Sequence, residues 1–130
     1  MKIIFLILFV SIGLFANNWT SYKDMYEKRD NKLILVMIER DNCIYCSKEF
    51  KRIESDKEFK RFLSENFQLV LINQDQDFIP AELISQMTPA FYILEPSDLR
   101  LFTDPFYGLT ENRKFKKYLI RVLELYKEIK

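Results

Sequence analysis

A chain of 130 residues has room for one domain with a core of modest size. Its 20 Lys and Arg stand against 19 Asp and Glu, a net charge of +1, which leaves no basic footprint for nucleic acid. With two cysteines and no histidine, the chain cannot by itself supply the four ligands of a closed zinc site.

The chain begins with Lys2 and the run "IIFLILFVSIGLFA", apolar apart from Ser11 and Gly13 and ending on the small residue Ala16. A basic start, a short apolar stretch and a small residue at its end are the parts of a secretory signal peptide. The stretch is shorter than the roughly 20 apolar residues of a spanning helix. The expectation is a signal peptide over residues 1–16, or an uncleaved anchor, and a single domain over 17–130. That domain is expected outside the cytoplasm, in the periplasm if the source is a Gram-negative bacterium, and tethered to the membrane if the segment is retained.

The stretch "NNWTSYKDMYEKRDN" places Trp19, Tyr22 and Tyr26 on one helical face, with Asn18 as the expected N-cap. Residues 33–39, "LILVMIE", form a continuous apolar run too short for an ordinary helix, which predicts a strand buried on both faces. Beyond the cysteines, "SKEFKRIE" predicts a helix burying Phe50 and Ile53, and mixed-charge runs such as "KEFKRIESDKEFKR" read as solvated helix faces. Ser55 opens S-D-K-E, a capping-box pattern, ahead of a helix carrying Phe59, Phe62 and Leu63. A second buried strand is predicted over 67–72, "FQLVLI", and a short helical piece between Pro80 and Ser85. "AFYIL" (90–94) and "LRLFT" (99–103) flank the turn-forming "EPSD" and predict a β-hairpin. Gly108 precedes Thr110, the expected cap of a last helix with Phe115, Leu119, Val122, Tyr126 and Ile129 on one stripe. The order α-β-α-(α)-β-α-β-β-α requires one parallel strand pair joined by a crossover, and adds antiparallel strands.

Both cysteines sit in "RDNCIYCSKEF", as Cys43 and Cys46. Cross-linking them closes a loop of only a few residues, which restricts the unfolded chain little and makes a purely structural staple weak. Two thiolates suit copper(I), a soft ion, although no Met-rich segment accompanies them. The redox reading explains more, because the pair follows a buried strand and opens a helix. There the unpaired N–H groups and the helix dipole favour an anion, so Cys43 is expected to ionise more easily than a free thiol. Cys46 falls one turn on, within reach of a mixed disulfide at Cys43 and shielded beneath the helix start.

From Trp19 to Lys130 the sequence resembles the thioredoxin-fold proteins, most of all the exported thioredoxin-related group that includes the SoxW-like proteins and the C-terminal domain of the reductase DsbD. The resemblance rests on the strand 33–39, on Cys43-Ile44-Tyr45-Cys46 followed by Lys48 and Phe50, and on "SDKEFKRFLSENFQLVLIN", "MTPAFYIL" and "FYGLTENRKFKKYL". It implies an α/β fold with a central mixed four-stranded sheet flanked by helices and an N-terminal helix. It also implies that Pro89 is cis and faces the disulfide, and that the Thr88 backbone pairs with an incoming substrate chain. An X-Pro bond tolerates cis far better than other peptides do, which agrees with that implication.

Three departures stand out. Asn42 replaces the usual tryptophan before the first cysteine, and Met37 stands where thioredoxins often bury an aspartate. Glu39 is then the nearest carboxylate on that strand, either a substitute proton acceptor or a solvated residue at the strand end. Ile44-Tyr45 is neither Gly-Pro nor Pro-His, and together with Thr88 and Pro89 it forms the expected substrate contact. The function expected is an exported thiol–disulfide oxidoreductase, a reductase in which Cys43 attacks a protein disulfide and Cys46 resolves the intermediate. No organic cofactor is needed, and the electron donor expected is a membrane-bound thiol–disulfide reductase. The alternative is a copper(I)-binding or chaperone-like protein of the same fold.

Overall fold

The computed structural model describes residues 18–130, so the expected signal segment 1–16 lies outside the described residues. In chain order the elements are β1 (Trp19–Thr20), α1 (Tyr22–Glu27), β2 (Ile34–Glu39), α2 (Ile44–Ser55), α3 (Lys57–Asn66), β3 (Gln68–Asn73), a 3-10 turn (Ala81–Leu83), β4 (Ala90–Leu94), β5 (Phe106–Tyr107) and α4 (Asn112–Ile129). One mixed sheet results, with strand order β1-β3-β2-β4-β5. β1 and β2 run parallel to β3, while β4 is antiparallel to β2 and β5 to β4.

The apolar run of β2 occupies the middle of this sheet, where Val36 pairs with Val70 on one side and Tyr92 on the other. Alternate residues then bury on opposite faces, as the pleat requires. Leu33, Leu35 and Met37 meet Ile53 of α2, Phe59 and Leu63 of α3, and Phe115, Leu119 and Val122 of α4. Ile34, Val36 and Ile38 meet Met25 of α1 and Leu83 of the 3-10 turn. A continuous apolar sequence is therefore what a strand covered by helices on both faces needs.

Among the described residues the sheet has five strands rather than the expected four, and the differences lie at its edges. Trp19 begins no helix: it pairs with Leu69 in β1, and its Nε1 donates to Glu54 Oε1 at 2.9 Å. The helix starts later, capped by Ser21, whose Oγ accepts from Asp24 N at 3.1 Å. Asn18 is not the cap, since its side-chain amide donates to Ser64 Oγ.

Ser55 likewise stays in α2, its hydroxyl donating to Arg52 O, and Asp56 caps α3 by accepting from Phe59 N at 3.0 Å. The stretch 99–103 makes only a single bridge, Leu94 to Leu101, before Pro105, which lacks an N–H, interrupts pairing. The second antiparallel partner of β4 is Phe106–Tyr107, fixed by the Phe106 ring, which stacks 5.0 Å from Phe91 and meets Phe115 edge-on at 5.2 Å. At α4 the N-cap is Glu111 rather than Thr110, and Ile129 leaves the buried stripe with 63% exposure.

Candidate functional site

β2 ends at Glu39, and three residues later the chain must turn from strand into helix. Asn42 makes that turn in the left-handed region, φ 57°, which asparagine tolerates better than most side chains. Cys43 is then the N-cap of α2, its Sγ accepting from Cys46 N at 3.2 Å and so satisfying one of the helix's orphan donors. The two sulfurs are bonded to each other, with Cα atoms 5.2 Å apart. Cys43 is half-buried, whereas Cys46, on the inner face of the helix, is 1% exposed. Between them Ile44 and Tyr45 point outward, 69% and 60% exposed, an apolar pair beside the disulfide.

The segment before β4 closes over this point. Thr88 Oγ1 lies 3.4 Å from Cys43 Sγ and Thr88 O lies 3.8 Å from it, 45 residues away in sequence. The Thr88–Pro89 peptide is cis, and Pro89 is buried. Gly108 N donates to Pro89 O at 2.9 Å from a φ of 86°, a conformation that requires glycine. From the other side Arg40 reaches across, Nε donating to Thr88 Oγ1 at 2.9 Å and Nη2 to Gln86 O at 2.8 Å. The spacing of the motif gives no hint of Arg40, because its partners are more than forty residues away.

Glu39 lines one open groove with Arg40, Asp41, Cys43, Ile44 and Cys46. Its carboxyl titrates above the usual carboxylate range because it is partly desolvated, with Asp77 and Asp41 adding repulsion. A second carboxylate was hidden in a run read as solvated. Glu49 is fully buried, one turn past Cys46 on the same inner face as Ile53. Its Oε2 accepts from Thr110 N at 2.9 Å, tying α2 to the loop before α4, while Oε1 has no hydrogen-bond partner among the described residues. Burial raises its pKa against the lowering effects of the Thr110 N–H and Arg52. The clue was the phase of the helix: positions 46, 49 and 53 share one face, and Cys46 and Ile53 are both core. Among the described residues no group of three or more His, Cys, Asp or Glu is arranged to hold a metal ion.

Residues 23–122 match the model of a family described as a thioredoxin-like domain. No curated protein sequence matches the chain. Among solved structures, a thioredoxin from Thermus thermophilus is similar, with 20% identity and a TM-score of 0.61 over 80% of this chain and 85% of that one. The DsbH oxidoreductase is similar at 19% identity and TM-score 0.60, over 82% of this chain and 84% of its own. The periplasmic thioredoxin SoxS from Paracoccus pantotrophus, in its reduced form, shares 19% identity and a TM-score of 0.51, over 72% of this chain and 97% of that one.

Proposed function

The chain belongs to the thioredoxin-like domain family, and from that premise we propose that it is an exported disulfide reductase. A CxxC disulfide at the start of a helix in this fold is the centre of a thiol–disulfide oxidoreductase. The observation that carries the mechanism is the asymmetry of the pair: Cys43 is reachable and capped onto a helix N-terminus, while Cys46 is buried one turn behind it.

In the reduced protein the Cys43 thiolate attacks one sulfur of a protein disulfide, forming a mixed disulfide and releasing the other substrate sulfur as a thiolate. Cys46 then gives up its proton and attacks Cys43 Sγ, which breaks the mixed disulfide and frees the second substrate thiolate. Two electrons pass to the substrate, and Cys43–Cys46 is left oxidised. Glu39, in the same groove as Cys46 and with a raised pKa, takes the Cys46 proton. Ile44 and Tyr45 supply apolar contact to the substrate chain, and Thr88 and Pro89 supply its backbone seat.

The reducing direction is favoured because, among the described residues, no cationic side chain bonds Cys43 Sγ directly. An oxidant needs its reduced form strongly stabilised. A dithiol donor must then restore the pair, and a membrane-bound thiol–disulfide reductase suits an exported protein. Export itself rests on residues 1–16 as a signal or anchor, with 17–130 as the working domain. A periplasmic protein among the similar structures accords with it, and no helix among the described residues is long and apolar enough to cross a membrane.

Insulin reduction by the dithiol-charged protein, and the potential of the Cys43/Cys46 couple against glutathione, test this reading. Turnover with a potential near the thioredoxin value of about −270 mV is expected, and a value near −120 mV would mark an oxidant instead. Stoichiometric copper(I) on the reduced protein without disulfide turnover would favour the binding-protein alternative.

A further inference from the structure

The hydroxyl of Thr88 has one proton to give and room to accept. Its acceptor side is taken by Arg40 Nε at 2.9 Å, and Arg40 is held in place by its second bond, Nη2 to Gln86 O at 2.8 Å. The nearest sulfur is Cys43 Sγ at 3.4 Å, within sulfur hydrogen-bonding reach. With Cys43 in a disulfide, only the threonine hydroxyl of that pair carries a proton. A donor whose oxygen already accepts from a cation is polarised and becomes a stronger donor.

We propose that Arg40 is a positioning residue for the nucleophile: by bonding Thr88 Oγ1 it turns the Thr88 hydroxyl proton toward Cys43 Sγ and stabilises the thiolate there. The thiolate then has two donors, the Thr88 hydroxyl and the Cys46 N–H at 3.2 Å. Ionisation sends the thiol proton to solvent and changes no other bond. The relay acts against its surroundings, since Glu39 and Asp41 line the groove with Cys43, and Asp75 bonds the Asp41 N–H. Lys48 of α2 lies with its Nζ over the Tyr45 ring, 5.9 Å from its centroid. Residues 86–89 bring no charge of their own. Because the guanidinium reaches the sulfur only through a neutral hydroxyl, the relay tunes a reductase without making it a strong oxidant.

This inference rests on Cys43 being the nucleophile, but its test reads thiol acidity and not turnover, so the two fail separately. In the Cys46→Ser protein, thiolate absorbance at 240 nm is followed against pH, alone and with Arg40→Gln, Thr88→Val, both, or Thr88→Ser. Each of Arg40→Gln and Thr88→Val is expected to weaken Cys43 acidity by about tenfold, the scale of losing one charge-assisted hydrogen bond. The double variant is expected to lose no more than either single one. Thr88→Ser, which keeps the hydroxyl, is expected to titrate like the parent. An unchanged midpoint in Arg40→Gln overturns the proposal. So does a shift by Arg40→Gln that is as large in the Thr88→Val background as with Thr88 present, because the charge would then act through space.

Discussion

Phe115 and Ile129 occupy the same apolar stripe of α4 in the sequence, yet truncating each should have very different consequences. Phe115 is 1% exposed, and its ring meets Phe59 of α3 at 5.5 Å, Phe91 of β4 at 5.0 Å and Phe106 of β5 at 5.2 Å. Removing it leaves a cavity walled by three rings on three different elements, which cannot collapse together. Phe115→Ala should therefore cost about 3–5 kcal/mol, the range for buried phenylalanine. That is a large part of the roughly 5–15 kcal/mol that holds a domain folded. At about 4–8 °C per kcal/mol the melting temperature should fall by at least roughly 12 °C. Ile129, at 63% exposure, should lose less than about 0.5 kcal/mol on truncation to alanine. Urea unfolding of the oxidised proteins by circular dichroism gives both values, with the midpoint moving and the slope unchanged. Comparable losses at the two positions, or less than about 1 kcal/mol at Phe115, would refute the packing argument.

The start of α3 gives a second contrast: Asp56→Ala removes the acceptor of the Phe59 N–H and should cost about 1 kcal/mol, whereas Ser55→Ala should be close to neutral in the same urea assay. Alkylation of the reduced protein at neutral pH should modify Cys43 well before Cys46, and peptide mapping that found equal rates would defeat the division of labour. Accordingly, Cys46→Ser should accumulate mixed disulfides with substrate on non-reducing gels and Cys43→Ser should not. Glu49 gives a pH signature. Its folded pKa lies above its unfolded one, so the native state holds the proton longer. Stability is therefore full below the ordinary carboxylate value and is lost as pH rises through the raised folded value. The stability of Glu49→Gln relative to the parent should rise from acid to neutral pH in the oxidised protein; Glu39, shifted the same way, is common to both. A flat difference across that window would show that burial does not hold Glu49 protonated.

The central strands were legible because burial on both faces leaves a signature that no partner can disguise. β2, β3 and β4 each fall within one residue of the apolar runs that predict them. The edges were not, because their structure is decided by what they lie against. Trp19 carries a helical pattern with Tyr22 and Tyr26, but a parallel neighbour at Leu69 and the acceptor at Glu54 outweigh a local preference worth tenths of a kcal/mol. Similarly, "LRLFT" has the composition of a strand, yet the pairing that lasts is at Phe106, whose ring is locked between Phe91 and Phe115. The two candidate caps at Ser55 and Asp56 differ by a single residue, and local pattern cannot choose between them. Ile53 seated in the core carries α2 through Ser55, which leaves the cap to Asp56.

The candidate site divides along the same line. A local motif announces the sulfurs, since Cys-x-x-Cys after a buried strand needs nothing beyond its neighbours to reach a helix start. The charged groups around those sulfurs take their places through partners distant in the chain. Arg40 reads as one more charge in a charged loop, and becomes part of the site only when the fold delivers Thr88 to it across 48 residues. Glu49 reads as one more charge on a solvated helix, and becomes buried because the helix phase that hides Cys46 hides it too. Both belong to charged residue types that are almost never fully buried or committed without a specific partner. Neither Met37 in place of an aspartate nor the lack of a histidine gives any sign of Arg40, whose partner is Thr88. Acidity at Cys43 is set by which groups reach it in space, and this chain brings a guanidinium to it through a hydroxyl.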